Sequence, residues 1–332
     1  MGHRANLLII EGPTPEVYYS QWRANTLDSD LFWGPQHATA FIRSQAPQHD
    51  GLKLLANEWT EGGAVVDHRS RVLLWYGGED IRVHVPRRRL HLSLMGGLWP
   101  GWDIRWAREG VADIADYVGV PRVAVLTAAS AQSTDAEWVF EPAQDPAWLS
   151  TIVSMRRDGQ VRYAVTDASA AELLDLGQSL LSATERNAVR NSLRWRDVAR
   201  EFPTGGIHFD LDQHRLCFWV AEEAPALEAR AKAHLGNWTI VDWGDRYEAH
   251  VLAGEGGLVI EEPDPQALVG DLQAYLLGSS STFSEPVSSI INRFEDSDGI
   301  IAPKDARARS TLPPPHERRR LLTSVLPPAL VP

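Results

Sequence analysis

Hydrophobic positions fall into short runs along this chain, and one arrangement of runs occurs twice. Residues 60–76 (TEGGAVVDHRSRVLLWY) and 204–220 (TGGIHFDLDQHRLCFWV) each hold a Gly-Gly pair, an apolar run, an aspartate, a polar turn and a second apolar run containing Trp. The runs are β-branched or aromatic and the stretches between them polar, so each copy predicts a β-hairpin. Gly62-Gly63 and Gly205-Gly206 stand where the chain enters the sheet, a place for a bulge or for close approach of a neighbour. A paired glycine also opens phosphate loops, but neither pair leads into a helix through Lys-Ser/Thr.

The likeness extends outward. Residues 7–20 and 152–166 each read as two strands about a turn, with Asp158-Gly159 a strong two-residue hairpin signal. Helix-like runs follow over 31–43 and 173–185, and strands over 103–106 and 238–243 close the pattern. Recurrence of hairpin, helix, hairpin, helix and strand predicts an α+β fold of two tandem pseudo-symmetric copies, with mainly antiparallel sheets and helices packed on them. Trp75 and Trp219 end matching strands and are expected in matching cores. The divisions are a first repeat at 1–126, a connector at 127–147, a second repeat at 148–262, a helical extension at 263–302 and a basic, proline-rich tail at 303–332 that is expected to be disordered. Within these, helices are expected over 86–98, 111–118, 224–235, 265–277 and 287–294, and a helical stretch over 170–198 that turns near Thr184. Short strands are expected over 122–126, 248–252 and 258–260.

Charge narrows the functions open to such a fold. A net charge of −12 argues against nucleic acid and against anionic membranes, and suits a basic protein partner. No apolar run reaches the length of about 18 residues that a membrane helix needs. The single Cys217 fits a reducing cytoplasm, the expected location. Thirteen tryptophans exceed what the other counts prepare for, and Trp serves both cores and binding hot spots. Trp22 and Arg23, without counterparts in the second copy, and Trp99 and Trp102, flanking a Pro-Gly turn, are therefore binding candidates. The acidic cluster around the first hairpin adds Glu79 and Asp80.

Catalytic motifs are absent: there is no nucleophile elbow, P-loop, zinc-protease helix or paired-cysteine spacing, and no cofactor is expected. His208, Asp210, Asp212 and His214 stand at alternate positions of one run, and imidazole with carboxylate is a ligand set for a divalent metal, with His208, Asp210 and His214 the candidate ligands. The competing reading makes Asp67 and Asp210 turn residues that bond their own backbone. Two functions follow. One is a non-catalytic protein-binding module that covers a basic partner, as an inhibitor or immunity protein does. The other is an enzyme of unfamiliar type, metal-dependent in one version, with its site in the cleft between the repeats.

Overall fold

The computed structural model describes residues 3–49, 51–127, 148–278 and 312–326. Two compact units emerge: one drawn from Met1–Ile81, Arg87–Thr127 and Pro263–Pro332, the other from Arg82–Pro86 and Ala128–Glu262. The fold is mixed α+β, and among the described residues no helix is long and apolar enough to cross a membrane.

In the first unit, strands β1 (Ala5–Ile10), β2 (Glu16–Ser20), β3 (Ala46–Pro47), β4 (Gly62–Asp67), β5 (Val72–Tyr76) and β6 (Asp103–Trp106) form a sheet of order β3-β2-β1-β4-β5-β6. The hairpins β1–β2 and β4–β5 are antiparallel, whereas β4 joins β1, and β6 joins β5, in parallel. Alternation along β1, β4 and β5 divides their side chains between two cores. Leu7, Ile9, Ala64, Val66, Leu73 and Trp75 face a cluster that includes helices α1 (Leu27–Leu31) and α2 (Pro35–Arg43). Leu8, Val65, Leu74 and Tyr76 face α5 (Val111–Val118). Two further helices, α3 (Glu79–Val83) and α4 (Val85–Leu98), lie between β5 and β6 in the chain.

Strands β7 (Thr151–Arg157), β8 (Gln160–Thr166), β10 (Gly205–Asp210), β11 (Arg215–Val220) and β12 (Thr239–Asp242) of the second unit form a sheet of order β12-β11-β10-β7-β8, while the short β9 (Leu193–Arg194) and β13 (Leu258–Val259) pair separately. Here too the hairpins are antiparallel, and the joins β7–β10 and β11–β12 parallel. One face packs with α6 (Ala170–Asp175), α7 (Gln178–Asn187) and α8 (Leu227–His234), the other with α9 (Tyr247–Ala253). Local signals explain the element ends. Ser169 and Glu172 form a reciprocal capping box on α6, and Asp158-Gly159 turns β7 into β8 with φ of 52° and 71°. Asp67 and Asp210 accept backbone N–H bonds inside their own hairpin turns.

Several expectations change. The sheets are mixed, not mainly antiparallel, because a helical crossover returns the chain to the first hairpin in the same direction. The stretch over 122–126 holds a single 3-10 turn, Arg122–Ala124, and 248–252 lies in α9, whose buried Tyr247 and His250 are one turn apart. The run over 170–198 turns at Gly177 (φ 51°), where a Cβ would come within 2.6 Å of His234, and not at Thr184, which is inside α7. Trp75 and Trp219 are not counterparts: in register Trp75 matches Phe218, and Tyr76 matches Trp219, so the two tryptophans face opposite sides of their sheets.

The helix expected over 265–277 forms as α10 (Pro265–Leu277), and the tail expected to be disordered contains α11 (Pro315–Val325). Val269, Leu272, Leu276 and Leu322 of these helices enter the first unit's core, and buried Arg318 donates to the carbonyls of Leu276 and Gly278 at the end of α10. The apolar spacing of α11 is sparse enough to be hidden under its charge. The connector beyond Thr127 and the expected helix over 287–294 lie outside the described residues.

The Gly-Gly pairs are places of close approach. A Cβ on Gly62 would meet Ala24 at 2.9 Å, on Gly63 Ile114 at 2.6 Å, on Gly205 Ala170 at 2.7 Å, and on Gly206 both His250 and Trp219 at 2.3 Å. Gly206→Ala is expected to cost roughly 1–3 kcal/mol in urea denaturation through overpacking. Gly96→Ala, in helix α4 with nothing within 4 Å, is expected to gain up to about 1 kcal/mol. Equal effects at the two positions would contradict this packing.

Candidate functional site

The first unit contains a cavity of about 190 Å³. Its walls come from four short pieces of chain: Asn25 in the 3-10 turn before α1 with Asp28 on α1, Glu79, Asp80 and Ile81 on α3, Arg87 on α4, and Asp271, Leu272 and Tyr275 on α10. The i, i+4 spacing of Asp271 and Tyr275 places both on one face of α10. Gly78 (φ 83°) lies beside Asp28, and a Cβ there would come within 2.8 Å of the Asp28 carboxyl carbon.

Asp28 is 2% exposed. The Tyr275 hydroxyl (2.7 Å) and the Ser29 N–H (2.9 Å) both donate to its Oδ1, and among the described residues Oδ2 receives no hydrogen bond. Burial pushes the carboxyl up to about 7, the two donors only partly offsetting it, with Asp30 and Asp80 adding repulsion. The Tyr275 ring is 44% exposed while its hydroxyl points inward, and burial beside Asp28 drives that hydroxyl far above its ordinary value. At the rim, Arg87 bridges Asp80 (2.5 Å) and Asp271 (3.4 Å). Two rim carboxylates thus share one guanidinium, and Glu79 adds a third acidic side chain to the lining. Behind the cavity, burial raises Asp30 to about 6 despite Arg23 (4.0 Å) and the Thr26 hydroxyl (2.7 Å). His91 is fully buried against Phe32 and Trp75, and desolvation takes it down to about 3, the Asp28 backbone only partly offsetting it.

The second unit buries a different polar group. Two residues beyond the Gly-Gly pair, its sheet carries the row Ser154, His208 and Cys217; the same row of the first sheet is Leu8, Val65 and Leu74. Ser154 Oγ lies 2.8 Å from His208 Nδ1 and 2.7 Å from His250 Nε2 of α9, and Trp219 donates to His250 Nδ1 at 3.3 Å. Trp Nε1–H can only donate, so His250 must carry its proton on Nε2 and give it to Ser154. Ser154 then donates to His208 Nδ1, which leaves the His208 proton on Nε2, a buried atom with no partner among the described residues. The relay has a single direction and is sealed: Ser154, His208 and His250 are at most 1% exposed. Burial lowers His208 to about 4, against the pull of Asp210, and takes His250 well below its ordinary value.

Of the residues singled out from sequence, Glu79 and Asp80 line the cavity. Arg23 pairs with Asp30, Trp99 is a buried core ring whose Nε1 donates to the Leu31 carbonyl, Trp102 packs edge-on against Trp99, and Trp22 is half-buried. His208, Asp210 and His214 do not converge. His214 stacks on Trp238 at 4.4 Å, on the face of the sheet opposite His208, and Asp210 sits between Arg156 (3.8 Å) and Arg215 (3.6 Å). Among the described residues no three His, Cys, Asp or Glu side chains are placed to hold a metal ion. Cys217 is buried, and burial pushes its thiol up to about 11, as for a core residue. Sequence reasoning missed Asp28, which lies far along the chain from its neighbours Asp271 and Tyr275, missed those two as well, and missed His250 by reading its helix as a strand. No protein-family model matches the chain, and no curated protein or solved structure matches it either.

The two buried groups give opposite responses to pH. His208 falls from an unfolded value near 6.5 to about 4, so its neutral burial stabilises fully above pH 6.5 and is lost as pH falls through 4. Asp28 rises from 3.8 to about 7, so the first unit is expected to lose stability as pH climbs from about 4 to about 7. Asp28→Asn is expected to remove that loss, a gain on the order of 4 kcal/mol at pH 8 relative to pH 4, in urea melts across the range. His208→Leu is expected to reduce the acid limb without removing it, because His250 is lowered as well. Identical pH profiles for wild type and both variants would contradict these assignments.

Proposed function

We propose that the chain is a non-catalytic, intracellular protein-binding module of the inhibitor or immunity kind, and that the acidic cavity of its first unit receives a cationic side chain of a basic partner. The observation that carries this reading is the buried Asp28 with one unbonded oxygen, behind a rim of three carboxylates and one arginine. A net charge of −12 favours encounter with such a partner. We also infer that the two units descend from one duplicated module. Supporting this are the shared strand order, the same alternation of parallel and antiparallel joins, and glycine pairs at the same sheet positions. The unduplicated α10, which brings Asp271 and Tyr275, then makes the cavity a property of the first copy alone.

A second reading, acid–base catalysis, is favoured by one feature: a carboxyl poised near neutrality beside a tyrosine hydroxyl in a cavity. Binding of a fluorescent peptide holding both lysine and arginine separates the two readings. On the binding reading the peptide is retained unchanged, its affinity falls steeply as salt rises from about 0.05 to about 0.5 M, and it is lost in the triple variant Glu79→Gln, Asp80→Asn, Asp271→Asn. Affinity indifferent to salt and to those substitutions would remove the binding reading, and turnover of a bound probe would replace it with catalysis.

A further inference from the structure

The cavity's chemistry is specific enough to name the cation it takes, on the assumption that the binding reading above holds. Asp28 offers a single oxygen. Its Oδ1 is occupied by the Tyr275 hydroxyl and the Ser29 N–H, and Oδ2 alone is unbonded among the described residues. An arginine fork is matched by two oxygens of one carboxylate, which this group cannot present. An ammonium is a compact point charge with rotatable donors, and one oxygen meets it. The walls agree: Ile81 and Leu272 supply apolar surface for a methylene stem, and the carboxylates of Glu79 and Asp271 stand at the mouth. A metal ion fits poorly, because no three of the carboxylates among the described residues converge on one point.

We propose that the cavity binds the side-chain ammonium of a lysine from a partner protein, with Asp28 Oδ2 as its acceptor and with loss of the Asp28 proton to solvent on binding. The proton balance is simple. A neutral carboxyl gives up its O–H, the ammonium keeps its three protons, and the resulting carboxylate accepts one of them. Asp30 on α1, Asp80 on α3 and the Tyr275 hydroxyl on α10 act on Asp28 directly, Glu79 on α3, Arg87 on α4 and Asp271 on α10 line the same cavity, and neutral His91 of α4 lies against the Asp28 backbone. The carboxylates favour both the proton and the ammonium, so the two compete for one place. Ordinary burial of Asp28, near 7 in the free protein, makes that competition visible near neutrality.

Isothermal titration of the full chain with end-blocked peptides tests this directly. The probes are one lysine peptide, the same peptide with arginine, the same with norleucine, and free cadaverine, each at pH 6 and pH 8 in two buffers of different ionisation enthalpy. The lysine peptide is expected to bind at least about tenfold tighter than the arginine and norleucine peptides. It is expected to release close to one proton per site at pH 6 and much less at pH 8. Asp28→Asn, which keeps the Tyr275 bond, is expected to abolish the proton release, and Asp271→Asn to weaken binding while keeping it. Equal binding of lysine and arginine peptides overturns the ammonium assignment and leaves the basic-partner reading standing. Cadaverine binding tighter than the lysine peptide replaces the protein lysine with a free amine. Proton release that persists in Asp28→Asn removes Asp28 from the site, and no binding of any cationic probe ends both readings.

Discussion

Everything in this fold depends on how closely the central strand of each sheet can be approached from both faces. Strands β4 and β10 are buried along their whole length and carry helices on either side. That arrangement works because each begins with two glycines. A side chain at Gly62 or Gly205 would strike the helix or turn on one face, and a side chain at Gly63 or Gly206 would strike Ile114 or His250 on the other. With those contacts made, the parallel join to the first hairpin follows, and the hairpins on each side fix the rest of the strand order.

The same backbone row is then filled in opposite ways. In the first unit it is Leu8, Val65 and Leu74 under Ile114, an apolar layer; in the second it is Ser154, His208 and Cys217 under His250, where Trp219, His250, Ser154 and His208 form a directed chain of hydrogen bonds. Buried polar groups are tolerable only when they satisfy one another, and the nitrogen and oxygen atoms of this chain do so up to its end, His208 Nε2. The first unit keeps its polar burial elsewhere, at Asp28, where α10 delivers a tyrosine hydroxyl but leaves one oxygen open. A sealed relay supports structure. An open carboxyl beside a cavity is what a ligand can use.

The hairpins were legible because β-branched runs, Gly-Gly pairs and Asp-led turns are local signals, and Asp67 and Asp210 bond as the turn reading expects. The mixed sense of the sheets was not, since the direction in which β4 returns to β1 depends on the intervening helices, not on any residue in either strand. Single-residue register was likewise out of reach: Trp75 and Trp219 look alike in sequence and lie on opposite faces. Of the cavity, Glu79 and Asp80 stood out through their local clustering. Asp28, Asp271 and Tyr275 did not, because only tertiary folding brings α1 and α10 together, and nothing in their own neighbourhoods marks them.

Cation binding in this cavity turns on Asp28 keeping its proton to near neutrality while one of its oxygens makes no hydrogen bond among the described residues. Carboxyl carbon NMR on the full chain reads that group alone, with Asp28→Asn identifying its signal. A titration near pH 7 is expected in the free protein, displaced downward when the lysine peptide is present. A signal that titrates near the usual aspartate value of about 4, unmoved by the peptide, would contradict it.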